Sequence, residues 1–217
     1  MTRTVPLVRL WSGVVATVCL LGVLLQVASS AGNPSERFPT GAENAANIFS
    51  FFTVLTNLLL GITGLLLARG RPLFTARGGT ALRVLHLAAI LGIAVTGVVY
   101  HLVLAPLDDP RGLAAVANFL LHTAAPVLGV VGWLVVGPRG LTSLRTVLLA
   151  AIYPLAWLAV TLVRGAIIDW YPYPFVDVSA LGYGRVALDC LVVTVLFLGL
   201  GFGALAVDRR LPGGQAV

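Results

Sequence analysis

The sequence predicts an all-α polytopic membrane protein, a bundle of six transmembrane helices with both termini cytoplasmic. Of its 217 residues 59% are hydrophobic and 10% charged, and the mean hydropathy is +0.99, whereas soluble globular domains carry about 25% charged residues. Apolar runs of about 20 residues, enough to cross roughly 30 Å of hydrocarbon, recur six times along the chain. Arginine collects in alternate connections between those runs, as the positive-inside rule requires.

The first run, near 8–29, follows Arg3 and Arg9 and ends in VASSAG, small residues that suit a signal peptidase. A signal h-region needs only about 7–15 apolar residues, so this longer run is predicted to stay as the first helix. After the connection SSAGNPSERFPTGAENAAN come spans near 47–68, 82–105, 113–137 and 146–167. The connection DWYPYPFVDVSALGYG then leads to the sixth, near 185–207. In it, Trp170, Tyr171, Tyr173 and Phe175 suit the headgroup layer as an aromatic belt, and two prolines hold the segment extended rather than helical. No internal repeat divides the chain, so residues 1–217 read as a single six-span domain.

With the N-terminus inside, the cytoplasmic segments collect Arg3, Arg9, Arg69, Arg71, Arg77, Arg83, Arg139, Arg145, Arg209 and Arg210, and only Arg37, Arg111, Arg164 and Arg185 fall outside. That bias puts both termini in the cytoplasm. All 14 basic residues are arginine, which suggests a GC-rich bacterial genome, so the expected location is the bacterial plasma membrane. The pI near 10.2 is topogenic, because no basic tract with interleaved aromatics exists to follow a nucleic-acid backbone. Cys19 and Cys190 both lie in apolar stretches, which argues against a structural disulfide. Cys, His, Asp and Glu nowhere cluster at ligand spacing, so no metal and no cofactor is expected.

The stretch FFTVLTNLLLG, 51–61, places Thr53, Thr56 and Asn57 inside an apolar run. A helix in hydrocarbon satisfies its own backbone, so polar side chains there are either helix glue or the lining of a site. Counted from the span starts, Thr53 and Asn118 lie roughly 8 Å deep and Asn57 and His122 near 14 Å, all in the outer half. Tyr100 and His101 fall near the outer end of span three and Asp189 near that of span six, while the inner half holds little beyond His86. This one-sided distribution predicts a cavity open towards the outer leaflet. At about 100° per residue, Ser50, Thr53 and Asn57 share one stripe of span two, with Thr56 about 60° aside. Asn118 and His122 share a face of span four. Pro126, four residues on, lacks the N–H that would bond the His122 carbonyl, which predicts a kink and a free acceptor beside the imidazole.

Each of these residues also has an ordinary structural role. A threonine in a membrane helix commonly returns its hydroxyl to a carbonyl three or four residues back, and Asn57 and Asn118 suit bridges between helices. Asp189 has Arg185 one turn earlier as an ion-pair partner, and His101 suits the interface. His122 stands apart, because ionisable residues at such depth are rare and default to function.

The pattern FFTVLTNLLLG, then NFLLHTAAP, then WYPYPFVDV, in that order on six predicted spans, resembles the androgen-induced membrane protein family and its bacterial six-span relatives. The likeness runs from Phe49 to Val178. The animal members are threonine hydrolases that cleave fatty acid esters of hydroxy fatty acids. The resemblance implies that Thr53 corresponds to the nucleophile and His122 to the essential histidine, with Thr123 completing a His-Thr pair. Thr56 occupies the position where the animal proteins tend to have Asn or Asp, and Asn57 is an addition, so Thr53 and Thr56 both stay open as the nucleophile. Thr53 is preferred because it alone shares a face with Ser50 and Asn57.

The expected function is therefore intramembrane hydrolysis of a lipid ester. A threonine hydroxyl needs a base, and desolvation keeps a histidine neutral with one ring nitrogen free to act. His122 would take the proton of Thr53, and Asn57 or Asn118 would donate to the developing oxyanion. The expected partner is a membrane lipid or acyl ester. The alternative is a non-catalytic protein that binds a lipid, quinone or small amphiphile in the same pocket, or an assembly partner with a polar helix contact. A transporter or channel ranks third, since repeat symmetry and polar groups in the inner half are both missing. Gly61, Gly64, Gly92 and Gly97 suit close helix contacts, within one chain or between copies, so the sequence leaves the oligomeric state open.

Overall fold

The computed structural model describes residues 4–70, 79–137 and 139–210. Arg3, Arg71 and Arg77, which enter the arginine bias, lie outside the described residues. Helices α1 (Thr4–Gly32), α2 (Gly41–Asn47), α3 (Phe52–Ala68), α4 (Gly79–Val99), α5 (Leu113–Phe119), α6 (Ala125–Val135), α7 (Leu144–Ala150), α8 (Ile152–Ile168) and α9 (Val178–Arg210) follow one another, and no strand occurs among the described residues. Five stretches are long and apolar enough to cross a membrane: Val5–Gly32, Gly79–Leu107, Leu113–Val135, Leu144–Ile168 and Val178–Arg210. Gly41–Ser50 with Phe52–Ala68 makes a sixth if the pair, bent by 75°, is counted as one. The chain is an all-α polytopic membrane protein with five or six long apolar helices.

Helix α4 is the hub, packing against α3, α6, α7 and α9. Leu87 to Ile93 are all buried, as expected of a helix that is apolar all round and has neighbours on every side. Helix α1 lies along α3, where a Cβ at Gly64 would sit 3.0 Å from the Ser12 carbonyl oxygen. A small residue there lets the backbones meet. Trp11 Nε1 donates to the Leu128 carbonyl at 3.0 Å and ties α1 to α6.

The span expected over 47–68 is not one helix. Thr40 and Glu43 form a capping box that starts α2 well before residue 47, a Thr-x-x-Glu signal with a known physical basis. A 3-10 turn, Ile48–Ser50, and an extended Phe51 (φ −80, ψ 130) then separate α2 from α3. Thr53 is therefore the second residue of α3 rather than a residue one turn inside a continuous span. Ser50 lies before the break and does not share a stripe with Thr53 and Asn57. The sixth span also starts earlier than expected, at Val178, and bends at Gly182 (φ 75, ψ 158), a left-handed backbone that glycine adopts without strain.

Two further irregularities matter for the site. Helix α4 runs on into a π turn, Tyr100–Leu104, and α5 into another, Leu120–Ala124. Each π turn is followed by an Ala-Pro pair, Ala105-Pro106 and Ala125-Pro126. Such bulges recur at functional sites in helices.

Candidate functional site

In the connection between α8 and α9, Tyr173 turns inward, whereas Trp170, Tyr171 and Phe175 stay half-buried. Tyr173 is buried, and its ring meets Phe51, Trp157 and Phe175 at centroid distances of 5.5, 5.8 and 5.3 Å. Its hydroxyl accepts from the Thr53 N–H at 3.2 Å and pairs with Thr53 Oγ1 at 3.2 Å. That N–H belongs to the first turn of α3, where no intrahelical acceptor exists, so the phenol supplies the cap. Burial pushes the Tyr173 phenol above its ordinary value, which keeps it protonated and able to donate. Thr53, Thr96, Trp157, Tyr173 and Phe197 help line an apolar cavity of about 320 Å³. Two of its three threonine hydroxyls are engaged: Thr53 by Tyr173, and Thr194 by the Cys190 carbonyl at 2.8 Å. The third is not, because buried Thr96 Oγ1 has no hydrogen-bond partner among the described residues.

One turn further along α3 the polar groups face other helices. Thr56 is fully buried, and its Oγ1 pairs with Tyr153 OH at 2.9 Å. Asn57 is fully buried as well. Its Nδ2 donates to the Thr53 carbonyl at 2.9 Å and to the Leu121 carbonyl at 3.2 Å. The second bond corrects the expectation about Pro126. In the π turn the Ala125 N–H reaches back five residues to Leu120 O, so the carbonyl left without a donor by Pro126 is that of Leu121, not His122. The amide of Asn57 fills that gap from the neighbouring helix, as irregular backbone at membrane depth requires.

The histidine side is built from the two π turns. His122 stacks on Tyr100 with centroids 4.1 Å apart and planes 20° apart, and its Nδ1 pairs with the Asn118 carbonyl at 3.2 Å. Asn118 Nδ2 donates to the Tyr100 hydroxyl. Thr123 Oγ1 meets His101 Nε2 at 3.3 Å, and His101 Nδ1 meets the Gly97 carbonyl at 2.8 Å. Tyr100, His101, Asn118, His122 and Thr123 thus form one cluster. Close approach allows it: a Cβ on Gly97 would lie 2.8 Å from Pro126 Cβ.

The structure therefore divides the expected site residues. Thr53 joins Tyr173 at the cavity, and no hydrogen bond links it to His122 among the described residues. Asn57 touches both regions through backbone carbonyls. Ser50 donates to the Asn47 carbonyl and belongs to the turn before α3. Asp189 accepts from Arg185 Nε at 3.0 and 3.1 Å, the local ion pair that the spacing predicts. Tyr173 and Thr96 are the residues sequence reading missed. Thr96 lies four residues before Tyr100, a spacing that marks one helix face, and the YPYP run gave Tyr173 an extended backbone able to turn inward.

Compared with protein families, characterised proteins and solved structures, the chain matches none. The motif likeness noted above accordingly rests on the quoted residues.

Proposed function

We propose that this protein binds a lipid or small amphiphile in the cavity beside the start of α3, its apolar part against Trp157 and Phe197 and its polar group at Thr53, Thr96 and Tyr173. The observation that carries the proposal is an apolar cavity with Thr53, Thr96 and Tyr173 among its lining residues. Beside it the buried Thr96 hydroxyl has no hydrogen-bond partner among the described residues, a deficit that costs about 1–3 kcal/mol. The volume of about 320 Å³ lies at the small end of ligand pockets, which span roughly 300–1,000 Å³. It suits one acyl chain or a small amphiphile better than a two-chain phospholipid. In this reading the arginine bias sets the topology, with both termini cytoplasmic in a bacterial plasma membrane. The test is displacement of a fluorescent acyl probe from purified protein in detergent. Thr96→Phe, which fills the cavity, is expected to weaken binding about tenfold or more while the protein stays folded. Equal affinity in Thr96→Phe and wild type ends the proposal.

A second reading, hydrolysis of a lipid ester, is favoured by the place of Thr53 among the lining residues of the cavity and by Asn57, whose amide donates to both the Thr53 carbonyl and the π turn of His122. Thr53 Oγ1 would attack the ester carbonyl while its proton passes to His122 through a water. The ester C–O bond then breaks, and His122 returns the proton to the departing alcohol. Water, activated by the same histidine, releases the acid and restores Thr53. A fluorophosphonate probe is expected to label Thr53, and Thr53→Ala and His122→Ala are expected to abolish ester turnover. Turnover at the wild-type rate in both variants rules out this mechanism through Thr53 and His122 without touching the binding proposal.

A further inference from the structure

Trp157 lines a second hollow as well as the cavity. This groove, of about 270 Å³, is also lined by Leu55, Tyr153, Ala156 and Val160, and Arg164 stands among its lining residues. The wall is fixed, since Trp157 Nε1 donates to the Ser50 carbonyl at 2.9 Å. Arg164 lies one turn before the end of α8. Its Nη2 donates to Asn47 Oδ1 at 2.8 Å, and its guanidinium carbon lies 5.1 Å from the Trp170 ring and 6.0 Å from that of Phe38. These partners are all neutral. Among the described residues the ion pairs are Arg111 with Asp109 and Arg185 with Asp189, and no carboxylate pairs with Arg164.

A guanidinium carries five N–H donors arranged to grip carboxylate or phosphate. A snorkelling arginine that clamps Asn47 and Trp170 to α8 accounts for the hydrogen bond and the ring contacts. It does not account for an apolar groove leading to a cation without a counter-ion among the described residues. We propose that this groove is a second binding site, for a single-chain amphiphile whose carboxylate or phosphate head pairs with Arg164 and whose alkyl chain lies along Leu55, Tyr153 and Val160. The chemistry is charge at one end and hydrocarbon at the other, and it does not depend on the cavity proposed above.

The test uses the full chain in nanodiscs of zwitterionic lipid. Quenching of tryptophan fluorescence reports binding of chain-matched spin-labelled fatty acid, alkyl phosphate and alkyl alcohol. Either anion is expected to bind about tenfold or more tightly than the alcohol, the worth of a charge-assisted hydrogen bond, and the tighter of the two identifies the head group. Arg164→Gln is expected to remove that preference, Arg164→Lys to keep part of it, and Thr96→Phe to leave it unchanged. Should Arg164→Gln fail to fold, Ala156→Phe, which fills the groove beneath the cation, is expected to abolish anion binding instead. Equal affinity for alcohol and both anions in the wild type, or an anion preference that survives both Arg164→Gln and Ala156→Phe, overturns the proposal.

Discussion

The start of α3 and the π turn between α5 and α6 lie in the motifs FFTVLTNLLLG and NFLLHTAAP, which carry polar residues into apolar runs, and the fold builds on them in different ways. At the start of α3 the polar atoms complete a helix end. The N–H of Thr53 needs an acceptor, and Tyr173 reaches back from the α8–α9 connection to provide it. At the π turn they repair a helix interior, where Pro126 leaves the Leu121 carbonyl open and Asn57 closes it from α3. Similar residue types at similar expected depth therefore serve separate backbone defects. The difference teaches that polar residues in neighbouring apolar helices need not share a site, because each can be committed to a break in a helix ladder, its own or a neighbour's. Asn57 hydrogen-bonds to both regions.

That makes Asn57 the place to break the comparison. Asn57→Leu is close in volume but leaves the Leu121 carbonyl buried without a donor, so it is expected to cost about 2–3 kcal/mol, read as a fall in the unfolding midpoint in detergent micelles. It is also expected to weaken both the acyl-probe affinity of the cavity and the stacking of His122 on Tyr100. A midpoint equal to wild type contradicts the tether. Gly97→Ala sharpens the contrast by disturbing one region only. Its new methyl would meet Pro126 Cβ at 2.8 Å, and overpacking of this kind is expected to cost about 1–2 kcal/mol. Because the strain falls between the two π turns, acyl-probe affinity is expected to stay within about twofold of wild type. A larger loss of affinity would mean that the regions are mechanically one.

Much of this organisation is legible in the sequence, and the limits are physical. Apolar runs of membrane length announce the helices, and Asp189 four residues after Arg185 announces its ion pair. The shared face of Asn118 and His122 is also readable, because the π turn begins only at Leu120 and the first of the pair lies before it. Phe51 is a different matter. No glycine or proline marks the break there, so the run over 47–68 looks continuous, although Thr40 and Glu43 do signal the start of α2. The Leu121 carbonyl was not readable for a similar reason: Pro126 announces a missing N–H, but only the π register decides which acceptor loses it. Tyr173 was lost to ambiguity of composition, since a belt residue and a buried cap are the same amphipathic ring. Only the turn of the chain after Asp169, with φ 50, sends it inward.

The smallest expected effect is the most specific. Tyr173→Phe keeps the ring against Phe51 and Phe175 and removes only the oxygen that serves the Thr53 N–H and Oγ1. The expected loss is about 1 kcal/mol, with the contacts of His122 untouched. It should also change how stability depends on pH. Burial raises the Tyr173 phenol above its ordinary 10.0 in the folded chain, so above that value the unfolded chain gives up this proton first and unfolding becomes easier as pH rises. Below it, the contribution of Tyr173 is present in full. The wild type is therefore expected to lose stability more steeply than Tyr173→Phe once the pH passes the ordinary tyrosine range, and the two denaturation midpoints should converge there. Parallel curves across that range would show that the phenol is not buried against Thr53, and the cap at the start of α3 would then have to come from the bilayer side or from a ligand.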